Sequence, residues 1–586
     1  MQRQLLALTI VTCSLFLSRG APAAEPLPPR AEWIPQDAVI VVDIAEPRRL
    51  LEPLLDDRVT SAVTASPQYQ AATSSAEFKQ LAGVVKHYQE KYQVDFRGLV
   101  GKLLGGGVTW AVGPQQASLL IVDTEDAGLL EEIHEFTRVV ARGEAEKRGQ
   151  PNAVVSAEYR GVTGWKFGPN EAHSIIGNRL VLTNKPDWLK AAVDLRADPN
   201  GASVAKAPNY RSARQAVGAN AVGSIYADLA VLKQIPNVQT ALAKNAENPL
   251  ASLLFAPLLE AVRQSNWLAM GVNVQDQKLA IEVAADSAPS DASSPKEFAT
   301  PDTAAGGAMP NFAVPRQIAS LSFYRDLHKF YAAKDRLFPE RTSGLIFFEN
   351  MMGIFFTGRD LTDEVLAETT PHVRFVVAQQ QYDAKVGTPQ VQLPGFAAVF
   401  RMKNPEKFSL VAEEAFQKAL GLVNFTRGQK AEPGLIIDRP EHAGVKYTVA
   451  AFAPSAQPGE APVDMRFNFQ PTLAMPQGHV IISSSEALAR DLIDALKDEA
   501  AGNVQPLAGM HSLVTLDGSR LASILNANRE AMIQQSMVEK AKTHEQAAQE
   551  LDVGLKIAEA VRQLTLSMGS RDGQTRVMLE ATVEVP

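Results

Sequence analysis

Apolar and polar positions form short runs that recur in the same order in both halves of the chain. In the first half, VIVVDIA (39–45) predicts a strand, and GVTWAVG (107–113) and SLLIVD (118–123) predict two more. A long helical region separates the first strand from the other two, and an amphipathic helix (128–147) and a further strand (153–161) follow. This strand–helix–strand–strand–helix–strand order is ferredoxin-like. It predicts an α+β fold in which an antiparallel sheet carries helices mainly on one face.

The second half repeats this order, with strands predicted at IASLSFYRD, HVRFVVA, GFAAVFRM and GLIIDRP. The pentapeptide EAVRQ occurs at 260–264 and again at 559–563, and each copy is followed by an apolar run, a turn and a second alternating run. This pattern predicts a helix leading into an antiparallel hairpin at the end of each half. Stretches 178–195 and 478–495 also match, since each reads as a strand followed by a helix. We therefore predict a tandem duplication.

The length of the chain agrees with two domains. At 586 residues it exceeds what one hydrophobic core usually supports. Residues 287–314 are rich in Ser, Ala, Pro and Gly and show little periodicity, which predicts a linker. The first repeat is accordingly placed at 33–286 and the second at 315–586.

The first 24 residues have the pattern of a secretory signal peptide. Arg3 supplies the basic start, 5–17 form the apolar stretch, and a small-residue cleavage site allows cleavage after Ala23 or Ala24. We therefore expect an exported protein of the periplasm or the cell surface. No later stretch is long and apolar enough to predict a transmembrane segment in the mature chain.

Composition and charge exclude several classes of function. The single cysteine, Cys13, lies in the predicted signal peptide, so the mature chain is expected to have no disulfide, thiolate metal site or cysteine nucleophile. The net charge is −8, and loss of Arg3 and Arg19 with the signal peptide would make it −10. A mildly acidic exported protein is not expected to bind nucleic acid or anionic lipid through charge.

No pattern in the sequence predicts catalysis or a cofactor. Gly105, Gly106 and Gly107 precede a strand and lack the lysine and hydroxyl of a phosphate loop, so they predict a tight turn. None of the nine histidines has the spacing of a zinc motif, and no serine lies in a nucleophile elbow. We therefore assign no catalytic, cofactor-binding or metal-binding residue and predict that the protein is not an enzyme.

Four aspartates follow apolar strands and precede predicted helices: Asp43, Asp123, Asp228 and Asp517. A carboxylate at this place commonly accepts hydrogen bonds from the free amides at a helix start. Binding of calcium or acid–base chemistry is the alternative. We predict helix caps at all four positions.

The most apolar stretch of the mature chain is LIFFENMMGIFFTG (345–358). A helix here would place Phe348, Met352 and Phe355 along one stripe. Core packing is the default interpretation. The alternative is a groove for a lipid or a protein, because flexible methionine and aromatic side chains line such surfaces.

Several segments resemble a known family: DAVIVVDIAEPRRLLEPLL (37–55), GLVGKLLGGGVTWAVG (98–113) and IGNRLVLTNKPDWLKAAVDL (176–195). They are similar to a family of exported bacterial proteins, common in planctomycetes, that carries a domain of unknown function (type 3352). The resemblance is clearest over 37–195 and weaker in the second half, which lacks the triglycine turn. It implies export and a repeated α+β architecture, and it implies no activity, cofactor or site residue.

These observations lead to three hypotheses of function. The first is a non-enzymatic exported protein that binds a partner or is a structural component of the cell envelope. The second is a periplasmic carrier of lipid or another apolar ligand. The third is a metal-dependent hydrolase assembled from scattered histidines and aspartates. The partner is predicted to be an envelope protein or an apolar ligand, and the sequence does not identify it.

Overall fold

The computed structural model of the chain describes residues 27–51, 73–74, 76–168, 170–218, 221–243, 249–275, 277–286, 298–299, 301, 306–338, 342–382, 384, 386–453 and 463–583. The predicted signal peptide lies outside the described residues. The chain divides into two compact units: the first comprises Met1–Gln239, Ser265–Gln275 and Ile281–Asp286, and the second comprises Thr240–Gln264, Asp276–Ala280 and Ser287–Pro586. Over the described part of the chain, no helix combines the length and apolar character that crossing a membrane requires.

The strands are numbered in chain order. Those of the first unit are β1 (Ile40–Ile44), β2 (Gly107–Val112), β3 (Ser118–Asp123), β4 (Val155–Tyr159), β5 (Val162–Lys166), β6 (Ala172–Ile176), β7 (Arg179–Thr183), β8 (Gly223–Asp228), β9 (Trp267–Gln275) and β10 (Lys278–Asp286), the last belonging to this unit from Ile281 onward. Those of the second unit are β11 (Gln317–Tyr324), β12 (Thr369–Ala378), β13 (Gly395–Met402), β14 (Leu435–Asp438), β15 (Glu441–His442), β16 (Val445–Phe452), β17 (Thr472–Ala474), β18 (His479–Ser483), β19 (Met510–Leu516), β20 (Val561–Arg571) and β21 (Gln574–Val583).

The described α-helices are numbered in the same way. They are α1 (Pro47–Leu51), α2 (Ala76–Tyr92), α3 (Phe96–Leu104), α4 (Ala127–Lys147), α5 (Pro186–Ala197), α6 (Pro208–Ala216), α7 (Leu229–Leu232), α8 (Pro236–Ala243), α9 (Pro249–Gln264), α10 (Leu327–Ala332), α11 (Lys334–Leu337), α12 (Thr342–Phe355), α13 (Pro405–Gln429), α14 (Glu486–Ala501), α15 (Gly518–Ala527), α16 (Arg529–Lys540) and α17 (His544–Ala560).

The sheet of each unit has the same strand order. In the first unit the order is β4–β5–β6–β7–β3–β2–β1–β8–β9–β10, and in the second it is β14–β16–β17–β18–β13–β12–β11–β19–β20–β21. All these pairings are antiparallel where the register is described. Every pair of segments matched in sequence therefore lies at the same place in its sheet. The α+β class is the fold observed.

The ferredoxin-like arrangement is not the one that the sheets adopt. The elements follow each other along the chain in the expected order, from β1 through β4. In space, however, β1 lies between β2 and β8, and β3 pairs with β7. A split β-α-β unit requires parallel neighbours, which these antiparallel pairings do not provide. The hairpin β6–β7 takes the place beside β3, and β4 lies further out with all its residues exposed.

Helices pack on both faces of each sheet, so the expectation of helices mainly on one face is also wrong. We call the face that carries Val41, Ala111 and Leu119 the covered face of the first sheet, because α5 and α6 pack on it. The other face is contacted by α4, where His134 meets Trp165 and His173 of β5 and β6. The strands are apolar on both sides, so helices that pack on either side bury apolar surface.

The second sheet is built in the same way. Its covered face carries Val376, Val399 and Ile481, and α14 packs there through Leu492 and Leu496. On the other face, α13 packs against β17 and β18 through the buried residues Phe408, Val411, Leu473 and Val480.

Part of the predicted linker belongs to the core of the second unit. Phe298 is buried with Phe330 and Phe338, and Phe312 and Val314 are buried among residues of the second sheet. Burial of these apolar side chains stabilises the unit, because it removes apolar surface from water. A flexible linker would leave the same side chains exposed. The remaining domain boundaries stay a prediction.

Candidate functional site

Each sheet has a second face on which apolar side chains form an unbroken row. In the first sheet, the register aligns Met270, Ile225, Val42, Trp110, Leu120 and Leu182 across six strands. We call this row the open face of the first sheet, although α4 contacts the same side of the sheet at His173, the partner of Leu182. Residues of these strands on the covered face are buried, whereas those of the row are partly exposed, and 44% of the Trp110 surface is accessible.

The second sheet has a matching open face. The register aligns Leu579, Leu566, Val514, Leu321, Phe375, Ala398 and Ile482. Phe375, which lies where Trp110 lies in the first sheet, is 38% exposed, and Ile482 is 47% exposed. The neighbouring Phe396 is 55% exposed. Neither row contains a charged side chain. A surface of this kind is typical of a binding site for an apolar ligand or another apolar surface.

The predicted apolar stripe of α12 is divided between core and surface. Met352 packs against the buried cluster around Phe408, and Phe355 is half-buried. Phe348 is 38% exposed, and its ring lies 6.4 Å from the ring of Tyr331. More of the surface is accessible at Phe347 and Ile354, which the predicted stripe does not include. A role of Phe348, Met352 and Phe355 in binding stays a prediction.

Charged side chains meet at one end of the covered face of the first sheet. Arg30 begins a short 3-10 helix (Arg30–Trp33) and donates hydrogen bonds of 2.7 Å to the Thr109 hydroxyl and to the Gly106 carbonyl oxygen. Its guanidinium also lies 3.1 Å from Asp43 and 3.2 Å from Asp123. Both carboxylates are therefore neutralised by a residue that precedes the first strand.

Arg179 completes this cluster from the other side. It donates hydrogen bonds of 2.6 and 2.8 Å to the two oxygens of Asp123 and one of 2.9 Å to the carbonyl oxygen of Pro28. Its guanidinium stacks over the Trp33 ring at 4.6 Å. Two fully hydrogen-bonded arginines thus fix the N-terminal segment on the sheet. Both oxygens of Asp123 and the Oδ1 of Asp43 already accept hydrogen bonds from this chain, which favours a structural role.

The triglycine turn is a condition for this cluster. Gly107 has φ +109°, and a Cβ added there would lie 2.3 Å from the Arg30 Nη1. Glycine is required both for the backbone conformation and for the close approach of the guanidinium. The predicted tight turn into a strand is confirmed. The group that lies close to the backbone of Gly107 is the Arg30 side chain.

The capping prediction is correct for two of the four aspartates. Asp228 accepts a hydrogen bond from the Val231 amide at 3.1 Å, and Asp517 accepts one from the Arg520 amide at 2.9 Å. For Asp43 and Asp123 the prediction is wrong. Their side chains point to the covered face, where arginines and a threonine hydroxyl bind them. Side chains alternate between the two faces along a strand, so the face on which an aspartate near a strand end lies depends on its position in that strand.

Two histidines meet on the opposite side of the first sheet. His134 Nε2 lies 3.0 Å from His173 Nε2, and His173 Nδ1 lies 2.9 Å from Glu171. Burial and the neighbouring His173 lower the pKa of His134 to about 4. Among the residues that the structure describes, no group of three or more His, Cys, Asp or Glu could hold a metal ion. The pair joins α4 to β6.

Comparisons with known proteins identify a family and no activity. A family model described as "Protein of unknown function (DUF3352)" matches residues 4–306, which is just over half of the chain. No curated protein matches. Among solved structures, crystal form I of TP0453 is 8% identical with a TM-score of 0.23, and the match covers 46% of this chain and 81% of that one.

Two further structures of TP0453 give the same result. Crystal forms III and IV are each 9% identical with a TM-score of 0.23; form III covers 46% of this chain and 83% of its own, and form IV covers 44% and 79%. At these TM-scores the similarity supports no conclusion about this chain.

Proposed function

The chain belongs to the family of proteins of unknown function DUF3352, and we propose that it is a non-enzymatic exported protein of the cell envelope that binds lipid acyl chains. The ligand lies on the open faces of the two sheets. The observation that carries the proposal is the row of side chains on each open face, because these residues are apolar, adjacent and partly accessible.

The free energy of such binding comes from removal of apolar surface from water. Each Å² of apolar surface that is buried contributes about 25 cal/mol. An acyl chain laid across several strands would cover side chains from each of them and gain on both sides of the contact. Hydrocarbon needs no hydrogen-bonding partner, and the one polar side-chain group of the rows, the Trp110 indole N–H, already donates to the Ser118 hydroxyl at 2.8 Å. A protein occupying the same face would bring polar groups around its apolar core, as protein interfaces do.

The two open faces agree with a tandem duplication, which we infer from the common strand order. Trp110 of the first sheet and Phe375 of the second lie at equivalent places, in β2 and β12. A duplicated binding face would provide two apolar surfaces in one chain. The absence of a metal cluster among the described residues leaves the metal-dependent hydrolase without a specific observation in its favour.

Native mass spectrometry of mature protein purified without detergent tests the proposal. We expect co-purified lipid, or uptake of added fatty acid, in the wild type. A spectrum that stays free of ligand after addition of fatty acids and phospholipids would contradict it. An activity screen on the same preparation tests the proposal that the protein is not an enzyme. Turnover that one point substitution abolishes would overturn it.

A further inference from the structure

The second sheet has a different set of charges at the place where the first sheet has its arginine–aspartate cluster. In the first sheet, β3 and β7 pair over five residues and end on Asp123 opposite Arg179. In the second, β13 and β18 pair over five residues and end on Arg401 opposite His479. A carboxylate in one unit is thus replaced by a guanidinium in the other.

A cavity of about 360 Å³ opens at this place in the second unit. Its lining includes four basic residues, His372, Arg374, Arg401 and His479, and the amide side chains of Gln477 and Asn503. Three strands contribute the basic residues: β12, β13 and β18. The segment that carries Asn503 follows α14 directly.

Arg374 is held rigidly at the base of this cavity. It is 2% exposed and donates hydrogen bonds of 2.7 and 2.9 Å to the two carboxylate oxygens of Glu499. Its guanidinium also lies 3.6 Å from the centre of the Phe312 ring. The charge of Arg374 is therefore balanced by Glu499, and its position is fixed before any ligand arrives.

The charge of Arg401 is not balanced. Within the part of the chain that the structure describes, Arg401 forms no ion pair and no side-chain hydrogen bond, and more than a third of its surface is exposed. The cavity wall thus carries two guanidinium groups and one carboxylate, a net charge of +1 with both histidines neutral. Free donors of a guanidinium fit the oxygens of a phosphate, sulfate or carboxylate group.

The two histidines add a response to pH. Burial and the Arg374 guanidinium lower the pKa of His479 to about 4, and burial with Arg401 and Arg374 lowers the pKa of His372. His479 already pairs through Nδ1 with the carbonyl oxygen of Gln477 at 2.9 Å. The charged groups that face it are Arg374 from β12, Arg401 from β13 and Glu499 from α14.

We propose that this cavity is a binding site for a small oxyanion, such as a phosphate or carboxylate group, with Arg401 as the residue that binds it. At the equivalent place of the first unit, the guanidinium groups of Arg30 and Arg179 are already paired with Asp43 and Asp123. The proposal is independent of the acyl-chain proposal, since the cavity lies on the covered side of the sheet, with Val399 and Leu496 among its lining residues.

An anion in the cavity opposes the effect of the arginines on the histidines. It raises the pKa of both imidazoles, so that bound anion and bound proton favour each other. Affinity is therefore expected to rise as the pH falls. Sulfate is the suitable probe, because it keeps its charge over this range of pH, which phosphate does not.

Calorimetric titration of the full mature chain with sulfate tests the site. We expect saturable binding that Arg401→Gln weakens at least about tenfold, or about 1.4 kcal/mol. The matched control is Arg571→Gln, an exposed arginine of the β20–β21 hairpin whose side chain is 79% accessible, and it should bind as the wild type does. His479→Gln should bind at about pH 8 but gain less affinity at about pH 5.5 than the wild type.

Two results would overturn the proposal: no saturable sulfate binding by the folded wild type, or equal binding by Arg401→Gln and the wild type. A second experiment, which measures binding to lipid vesicles, identifies the source of the anion. Retention on vesicles with phosphatidic acid, but not on pure phosphatidylcholine, and its loss in Arg401→Gln would indicate a lipid headgroup. Sulfate binding without vesicle retention would indicate a free anion.

Discussion

Arg179 donates hydrogen bonds of 2.6 and 2.8 Å to the two oxygens of Asp123, its neighbour across the pairing of β7 with β3. Both side chains are largely buried, and Arg30 binds the same carboxylate from the N-terminal segment. The pair therefore connects the centre of the first sheet to residues that precede its first strand. Removal of this pair is therefore expected to lower the free energy of unfolding of the first unit.

Substitution Asp123→Ala is expected to lower the free energy of unfolding by about 3–5 kcal/mol, because it leaves the buried guanidinium of Arg179 without its carboxylate and removes one of the two that pair with Arg30. Urea denaturation of the mature chain measures the loss. Arg148→Ala, which removes an exposed arginine whose side chain is 74% accessible, is the control and should change little. Equal, small losses in both variants would show that the buried pair is not stabilising.

Gly107→Ala tests the close approach of Arg30. We expect a loss of about 1–3 kcal/mol from backbone strain, with a further loss because the new methyl group would meet the guanidinium. Gly161→Ala is the matched control, since Gly161 also has positive φ but has no atom within 4 Å of an added Cβ. Urea denaturation should show the larger loss for Gly107→Ala. Equal losses would mean that the contact with Arg30 does not matter.

The two confirmed helix caps give a prediction that separates structure from calcium binding. Asp228→Asn and Asp517→Asn should cost little, because asparagine caps as well as aspartate does, whereas substitution by Ala should cost about 0.5–2 kcal/mol. Thermal melts with and without calcium measure both effects. A calcium-dependent rise of Tm in the wild type that disappears in Asp228→Asn would contradict the assignment.

His134 should make the first unit sensitive to acid. Its pKa is about 4 in the folded chain, below the ordinary value of 6.5, so the unfolded chain takes up a proton first as the pH falls between these values. Stability is thus unaffected above about pH 6.5 and decreases from there towards pH 4. Urea denaturation at both ends of this range should show a smaller loss in His134→Gln. The same loss in the variant and the wild type would contradict the assignment.

The sequence predicts the local elements well and the long-range ones poorly. Strand positions, the closing hairpins and the caps at Asp228 and Asp517 depend on neighbours in the chain, which hydrophobic alternation and capping chemistry describe. The position of Arg30 depends on a distant residue, because its partner Asp123 lies 93 residues away along the chain. The triglycine turn was the signal for this contact in the sequence, because a glycine at 107 allows another group to approach the backbone closely.

The same reason explains what was missed at the candidate sites. Arg401 and Trp110 stand out only when the register shows which side chains share a face. The apolar run of β1 did carry part of the signal, because a strand that is apolar at consecutive positions presents apolar groups on both faces of its sheet. The helices α4 and α13 cover only part of these sides, and which part stays uncovered follows from where the helices pack, which no single strand shows.

Quenching of Trp110 fluorescence by a brominated fatty acid tests acyl-chain binding on the open face most directly. Trp33, Trp188 and Trp267 are buried and Trp165, on the same side of the sheet, is half-buried beneath α4, so Trp110 is the tryptophan most accessible to an acyl chain on this face. We expect saturable quenching in the wild type, none with the unbrominated acid, and a loss of most quenching in Trp110→Phe. Absence of saturable quenching in the wild type, or undiminished quenching in Trp110→Phe, would contradict the proposal.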